Sequence, residues 1–264
     1  MFVEMPRSRP SAEVLKVFEL KAAGHLDREV SELTGVPVGT IRNWRNRRFA
    51  GKPKPPFAEE ETCPQCGGPV HETSGLPIES YSYLLGVYLG DGCVTRNGSS
   101  WALRVYLDAS YPGIVREVCE AIHAIRTDRT PMVAPHRDCN CVVVHSTWRP
   151  WLCLFPQHGV GRKHTREIQL ADWQAEIVDI APGLFLRGLI HTDGWRGVNR
   201  VHAKGRNYEY PRYQFSNRSD DIRGLFTSAC DKLGIKWRPW TRYHVSVAQR
   251  DSVALLDSFV GPKY

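Results

Sequence analysis

Leu84-Leu85-Gly86-Val87-Tyr88-Leu89-Gly90-Asp91-Gly92 and Leu186-Arg187-Gly188-Leu189-Ile190-His191-Thr192-Asp193-Gly194 are two nine-residue strings set 102 positions apart. They share Leu, Gly, Asp and Gly at positions one, three, eight and nine, and an aromatic residue, Tyr83 or Phe185, stands just before each. A single Asp-Gly after an apolar run is ordinary helix-stopping chemistry. Two copies at matching places of matching segments read instead as a pair of acids brought together. Gly86 and Gly188 lie five residues before Asp91 and Asp193, where small residues let two helix backbones approach closely. Gly92 and Gly194 are expected to end each helix as left-handed residues. Each Asp then sits at the negative end of its helix dipole beside a like charge, a costly placement that bound divalent cations would offset.

The repetition extends beyond the strings. After the first come a β-rich stretch, Trp101 to Leu107, and a helix, Tyr111 to Ile125; after the second come Tyr208 to Ser216 and a helix, Asp220 to Leu233. Strand candidates follow both helices: Cys141 to His145 in the first half, Trp237 to Trp240 and Tyr243 to Ala248 in the second. Each half reads helix–strand–strand–helix–strand–strand, one supersecondary unit used twice. The expected fold class is α+β, a duplicated αββαββ domain over 77–264 with halves at 77–155 and 180–264.

Two such strings in two such halves resemble the LAGLIDADG homing-endonuclease family in its single-chain, two-motif form. The resemblance implies a saddle, with the motif helices as the central interface and a curved sheet from each half lying along double-stranded DNA. It implies Mg²⁺ held by Asp91 and Asp193 with the backbone carbonyls of Gly90 and Thr192, and cleavage of phosphodiesters in both strands. It also implies a monomer with an internal pseudo-two-fold. Arg196, Arg200, Lys204, Arg206, Arg212, Arg218, Arg238 and Arg242, interleaved with Tyr208, Tyr210, Tyr213 and Trp240, fit the DNA-facing sheet. Most of these would meet phosphates and a minority base edges. The strings depart from the familiar one at position six, where Leu89 and His191 replace Asp. They resemble intein-type members, yet a chain running from Met1-Phe2 to Pro262-Lys263-Tyr264 lacks the residues that splicing uses.

Charge supports a polyanionic partner. Of the net +7, residues 1–56 contribute 11 Lys/Arg against 6 Asp/Glu and residues 196–242 contribute 11 against 4, while 57–195 carry 11 against 16. Two basic blocks flank an acidic one, which fits two surfaces that meet nucleic acid. No run of eighteen apolar residues suggests a membrane span, and Met1 to Pro10 lacks a signal-peptide core. A soluble, cytoplasmic, nucleoid-associated protein is the expectation.

Residues 1–50 read as a small all-α helix-turn-helix domain. Ser11 opens one helix, Asp27 caps a second that Gly35 ends, and a basic third helix spans Ile41 to Arg48. Ile41 and Trp44 face its core at i, i+3, leaving Thr40, Arg42, Asn43, Arg45 and Asn46 outward. Arg and Asn make the bidentate contacts that distinguish guanine and adenine edges. Residues 51–76 form a linker, rich in Pro from Gly51 to Pro56, with a candidate zinc knuckle at Cys63-Pro64-Gln65-Cys66-Gly67-Gly68 and His71. The position expected for a fourth ligand is Leu76, so the knuckle is incomplete locally, since structural zinc takes four ligands. Cys93, or Cys139 with Cys141, is a candidate to close it from a distance, although the latter spacing is equally that of a half-buried strand. Cys119, Cys153 and Cys230 sit among apolar residues and read as plain buried thiols.

Between the halves runs a Gly-punctuated basic loop, Phe155 to Arg166. Lys163, His164 and Arg166 are its candidates for gripping phosphate, and a plain connector is the equal alternative. Two functions are open at this level: a Mg²⁺-dependent, site-specific DNA endonuclease targeted by the helix-turn-helix, and a non-cutting transcriptional regulator on the same scaffold. Both acids are present, which favours cleavage.

Overall fold

A computed structural model describes residues 11–46, 63–68, 71–203, 205–261 and 263. The chain forms two compact units, Met1–Glu61 and Thr62–Tyr264. Among the described residues no helix is long and apolar enough to cross a membrane.

Among the described residues the first unit holds three helices, α1 (Ser11–Ala22), α2 (Asp27–Thr34) and α3 (Val38–Asn46). Val17, Val30, Val36 and Ile41 form its buried centre, with Leu20 and Trp44 packed against them. Gly35 ends α2 as expected and does so at φ 68°, in the left-handed conformation. Asp27 is the first residue of α2 rather than its cap, and takes an ion pair from Lys21 at 2.8 Å. The third helix begins at Val38, ahead of the expected Ile41, because the Pro37 carbonyl already accepts the N–H groups of Thr40 and Ile41. Arg47, Arg48, the Gly51–Pro56 linker and the side chains of Asn43, Arg45 and Asn46 lie outside the described residues.

The second unit has the expected internal repeat. Its first half runs α4 (Ile78–Asp91), β1 (Gly92–Asn97), β2 (Ser100–Asp108), α5 (Pro112–Ile125), β3 (Met132–Pro135) and β4 (Cys141–Thr147). Two short helices, α6 (Trp151–Leu154) and α7 (Asp172–Ile180), lead to the second half: α8 (Pro182–Asp193), β5 (Gly194–Ala203), β6 (Arg206–Ser216), α9 (Asp220–Lys232), β7 (Arg238–Thr241) and β8 (His244–Val247). A last helix, α10 (Arg250–Val260), packs on α8. The two antiparallel four-stranded sheets have equivalent orders, β1-β2-β4-β3 and β5-β6-β8-β7.

Strand alternation sends Leu103, Val105 and Leu107 of β2, and Tyr213 and Phe215 of β6, into one continuous core. The motif helix α4 is buried without a break from Tyr81 to Leu89, as its lack of a polar stripe requires. It packs most closely on α8. A Cβ on Gly86 would overlap the Phe185 carbonyl oxygen and lie 2.9 Å from the Leu189 nitrogen; one on Gly188 would overlap the Tyr83 carbonyl oxygen and lie 2.8 Å from the Val87 nitrogen. The contacts are reciprocal, as a pseudo-two-fold demands.

Gly92 and Gly194 correct an expectation. Neither is left-handed: φ is −90° at Gly92 and −99° at Gly194, both extended, because each motif helix passes straight into a strand. Glycine is needed there for space. A Cβ on Gly92 would sit 2.6 Å from the Tyr88 Cα, and one on Gly194 would sit 2.6 Å from the Ile190 Cα.

Candidate functional site

Asp91 and Asp193 are the last residues of the paired helices α4 and α8. Burial, and then the charge of Asp193, push the Asp91 carboxyl up to about 6. Asp193 is raised as well, chiefly by burial, while its Oδ2 accepts a 2.7 Å hydrogen bond from the Asn217 amide. The structure therefore brings the two sequence-predicted acids into one electrostatic site and holds them at a cost. Gly90 and Thr192 meet across the interface, since a Cβ on Gly90 would overlap the Thr192 hydroxyl. That hydroxyl donates back to the carbonyls of Gly188 and Leu189, 3.1 and 3.0 Å away.

Two lysines answer the acids. Lys163 Nζ donates to the Tyr88 carbonyl and, at 2.9 Å, to the Gly90 carbonyl, the group expected among the metal ligands. Burial lowers its pKa to about 8, against the pull of Asp91 and Asp193. Lys263 Nζ donates to the Gly194 carbonyl, and burial lowers it too. Lys163 follows Asp91 by 72 residues and Lys263 follows Asp193 by 70. Each motif helix thus ends against a lysine, Lys163 from the loop that follows the first half and Lys263 from the end of the second. Sequence reading named Lys163 as a phosphate-gripping candidate of the loop, without placing it at the acids, and missed Lys263, although the repeat spacing was the signal that could have found it. Asn217 was missed too; its link to Asp193 depends on where β6 delivers it.

The acids open onto separate recesses. Asp193, Lys163, His164, Asn217 and Arg218 line one, and Asp91, Asp108, Tyr111, Thr192 and Lys263 line the other. The 155–166 loop is rigidly tied: Arg166 donates to the Gly161 and Gln157 carbonyls, and the Gln157 amide donates to the Gln169 carbonyl at 2.7 Å. Arg166 is thus spent on loop structure, His164 is exposed, and Lys163 alone of the three reaches the acids.

Position six of the second string has a structural reason. His191 is buried between Tyr83 and α10, with Nδ1 3.0 Å from the Tyr83 hydroxyl and Nε2 3.1 Å from the Val260 carbonyl. Burial drives its pKa down to about 4, so the ring is neutral and bridges the two motif helices to the C-terminal one. Beside it Arg187 makes a bidentate pair with Glu117 of α5, at 2.6 and 2.8 Å.

Strand register sorts the predicted cationic residues. On β6, Arg206, Arg212 and Gln214 alternate with the core-facing Tyr213 and Phe215, so they share the face away from the helices. The pairing carries Arg238 onto that face, and Arg212 lies over the Trp240 ring at 4.8 Å. Tyr208 and Tyr210 stack there in parallel. Arg218, Arg223 and Arg242 surround the Tyr243 ring. Arg196 and Arg200 fall on the opposite, helix-facing side. Arg196 is held by Asp257 of α10 at 2.6 and 2.8 Å, and Arg200 by Glu209 at 2.8 Å. Alternation, invisible without the register, separates them from the other arginines. Lys204 lies outside the described residues.

In the first unit, Arg42 is exposed on α3 with Asp27 3.7 Å away, and Thr40 is half-buried. The knuckle residues Cys63, Cys66 and His71 converge, and Cys153 joins them, correcting its reading as a plain buried thiol. Cys139 and Cys141 are disulfide-bonded to each other, and Cys93 faces the Lys163 recess, so none of these closes the knuckle.

Neither a protein-family pattern nor a curated protein matches the chain. Solved structures do. Mesophilic variants of the homing endonuclease I-DmoI match at TM-score 0.47 and 12% identity, over 70% of this chain and 97% of theirs. The LAGLIDADG meganuclease I-AabMI bound to uncleaved DNA matches at 0.43 and 10%, over 68% and 82%. The LAGLIDADG homing endonuclease I-LtrWI bound to target DNA matches at 0.45 and 7%, over 70% and 85%. Two αββαββ halves joined on their motif helices, each helix ending in an acid, are what the LAGLIDADG resemblance of the two strings implies, and this chain has that fold.

Proposed function

We propose that the chain is a site-specific DNA endonuclease of LAGLIDADG type that cuts both strands of double-stranded DNA with Mg²⁺. The observation that carries this reading is the pair of carboxylates at the joined ends of α4 and α8, both raised above the ordinary range, with each helix end bound by a lysine. The donor set is one of hard oxygens, which suits Mg²⁺. Asp91 and Asp193 would hold the cation, with the Gly90 and Thr192 carbonyls beside them. When bound, such a cation supplies activated water and charge for the leaving oxygen. Lys163 and Lys263 lie where a phosphate reaching the acids would gain a positive partner on each side. Arg206, Arg212, Arg218, Arg238 and Arg242 would track the backbone, with Tyr208, Tyr210 and Trp240 among them. The first unit, with Thr40, Arg42, Asn43 and Arg45 on α3, would read further bases as a helix-turn-helix.

The test is DNA selected from a random pool by the full chain, then incubated with Mg²⁺ or Mn²⁺. Double-strand cuts at a fixed position are expected. Salt-dependent binding with no cutting in either metal would leave a DNA-binding protein and remove the endonuclease.

A pH dependence follows from the acids. Asp91 is raised from 3.8 to about 6, so its protonated form favours the folded state; that contribution is whole below the ordinary carboxylate range and lost as pH rises through about 6. Lys163 is lowered from 10.5 to about 8, and its contribution, present above the ordinary value, is lost as pH falls through about 8. Neutral pH leaves both groups charged and the metal-free site least favourable. The Tm gain on adding Mg²⁺ is therefore expected to be substantial near pH 7.5 and to vanish near about pH 5, because a protonated carboxyl does not ligate. Equal gains at both pH values would show that the cation binds elsewhere.

A further inference from the structure

The Cys63–Gly68 turn is built as a metal knuckle. Cys63 N–H donates to the Gly68 carbonyl at 2.8 Å and Gly67 N–H to the Cys63 carbonyl at 2.9 Å. Gly67 sits at φ 63°, which folds Cys66 back beside Cys63. The backbone amides of Gln65 and Cys66 donate toward the Cys63 sulfur. A Cβ on Gly68 would meet the Cys66 sulfur at 3.5 Å, so a bare backbone passes the thiols. His71 is three residues further on.

The fourth group comes from 82 residues beyond His71. Cys153 lies on α6, and its sulfur is 3.5 Å from that of Cys63. The donor atoms of Cys63, Cys66, His71 and Cys153 all lie within 4.8 Å of one another. A tetrahedral zinc with Zn–S bonds of about 2.3 Å needs sulfurs about 3.8 Å apart, near the 3.5 Å between Cys63 and Cys153 and inside the 4.8 Å span of the four donors. A second tie runs parallel: Arg149, just before α6, donates to the Gly67 carbonyl at 3.1 Å.

We propose that Cys63, Cys66, His71 and Cys153 bind one structural Zn²⁺, which clasps the entry of the second unit to α6. All four positions are filled by protein, the closed coordination of a structural site rather than a catalytic one. The clasp has a purpose in the fold. The knuckle has six residues and no apolar face of its own, and only Cys66 among its side chains is a buried hydrophobe. Meanwhile α6 is a single turn that holds Trp151 and Leu154 in the core, and the loop carrying Lys163 leaves from its end. A metal joining the two supplies the stability that burial does not.

Metal analysis of the full chain, purified reduced and without affinity metal, is expected to give one zinc per chain. Replacement with Co²⁺ should give the visible bands and thiolate charge-transfer absorption of a tetrahedral site, a readout that needs no variant. Cys63→Ser and Cys153→Ser should each lose the zinc, while Cys119→Ser, outside the cluster, keeps it. Chelation should lower Tm, and added Zn²⁺ should restore it. Absence of zinc with Cys63 and Cys153 joined in a disulfide on peptide mapping would overturn the proposal. So would full zinc retention in Cys153→Ser, which would exclude α6 from the site. Because these readouts do not involve DNA, they stand or fall apart from the endonuclease reading.

Discussion

Asp91→Asn and Asp193→Asn are each expected to lower DNA cleavage by about a thousand-fold or more while leaving DNA affinity unchanged or tighter. The direction of each effect follows from the site. Asn keeps the shape of Asp but not its charge, so the desolvation that raises each carboxyl disappears, and with it the charge of Asp193 that raises Asp91 further. A polyanion approaching the ends of α4 and α8 then meets Lys163 and Lys263 with one opposing carboxylate fewer, which favours binding. Cation binding loses one of its two anionic ligands at the same time. Stability should rise slightly, a signature that separates this outcome from misfolding. Lys163→Met is expected to lose less, about a hundred-fold, since Lys263 remains. Measured cleavage rates and filter-binding affinities check these values; an Asp91→Asn protein that cuts like the parent would end the assignment of that acid.

The other large effect is mechanical. Gly86→Ala and Gly188→Ala are each expected to destabilise the second unit by about 2–3 kcal/mol net, a Tm loss of about 5–10 °C. Alanine in mid-helix gains about 1 kcal/mol over glycine, so propensity alone predicts the reverse. The clash decides the sign. The atoms facing Gly86 are the Phe185 carbonyl and the Leu189 nitrogen, which are backbone and cannot rotate aside. Only parting α4 from α8 relieves it, and that opens the most buried contact in the unit. Gly224→Ala is the control: this glycine lies in α9 with nothing within 4 Å of an added Cβ, so stabilisation of about 0.5–1 kcal/mol is expected. Thermal melts of the three variants suffice, and Gly86→Ala melting with Gly224→Ala would refute the close-packed interface.

Much of the fold was legible because it is written twice. The α5, β2, β4, β6 and α9 segments lie within a few residues of their expected positions. What escaped reading has physical causes. β1 and β5 begin directly at the helix ends, without the turn residues that announce a strand, and β3 is a short, exposed edge strand. The helices α6, α7 and α10 lie outside the helix–strand–strand–helix–strand–strand pattern read from the sequence. Gly92 and Gly194 were identified as special, but for the wrong reason: chain entry into a strand, not a left-handed cap, requires them.

Residue types and spacing by themselves determined that two helices pair, that their glycines meet and that Asp91 and Asp193 end together. Those features are local or repeated, and a repeat fixes its own correspondence. Only the tertiary structure decided what long-range closure and strand register control. It put Arg196 and Arg200 on the helix side of the sheet, because successive residues of a strand face opposite ways. It brought Lys263 and Asn217 to the acids, and Cys153 to the knuckle across 82 residues. No sequence pattern encodes Asn217 or Cys153 as partners, since loop closure tolerates almost any separation at small entropic cost. The two nine-residue strings name the acids; the fold supplies the cations around them.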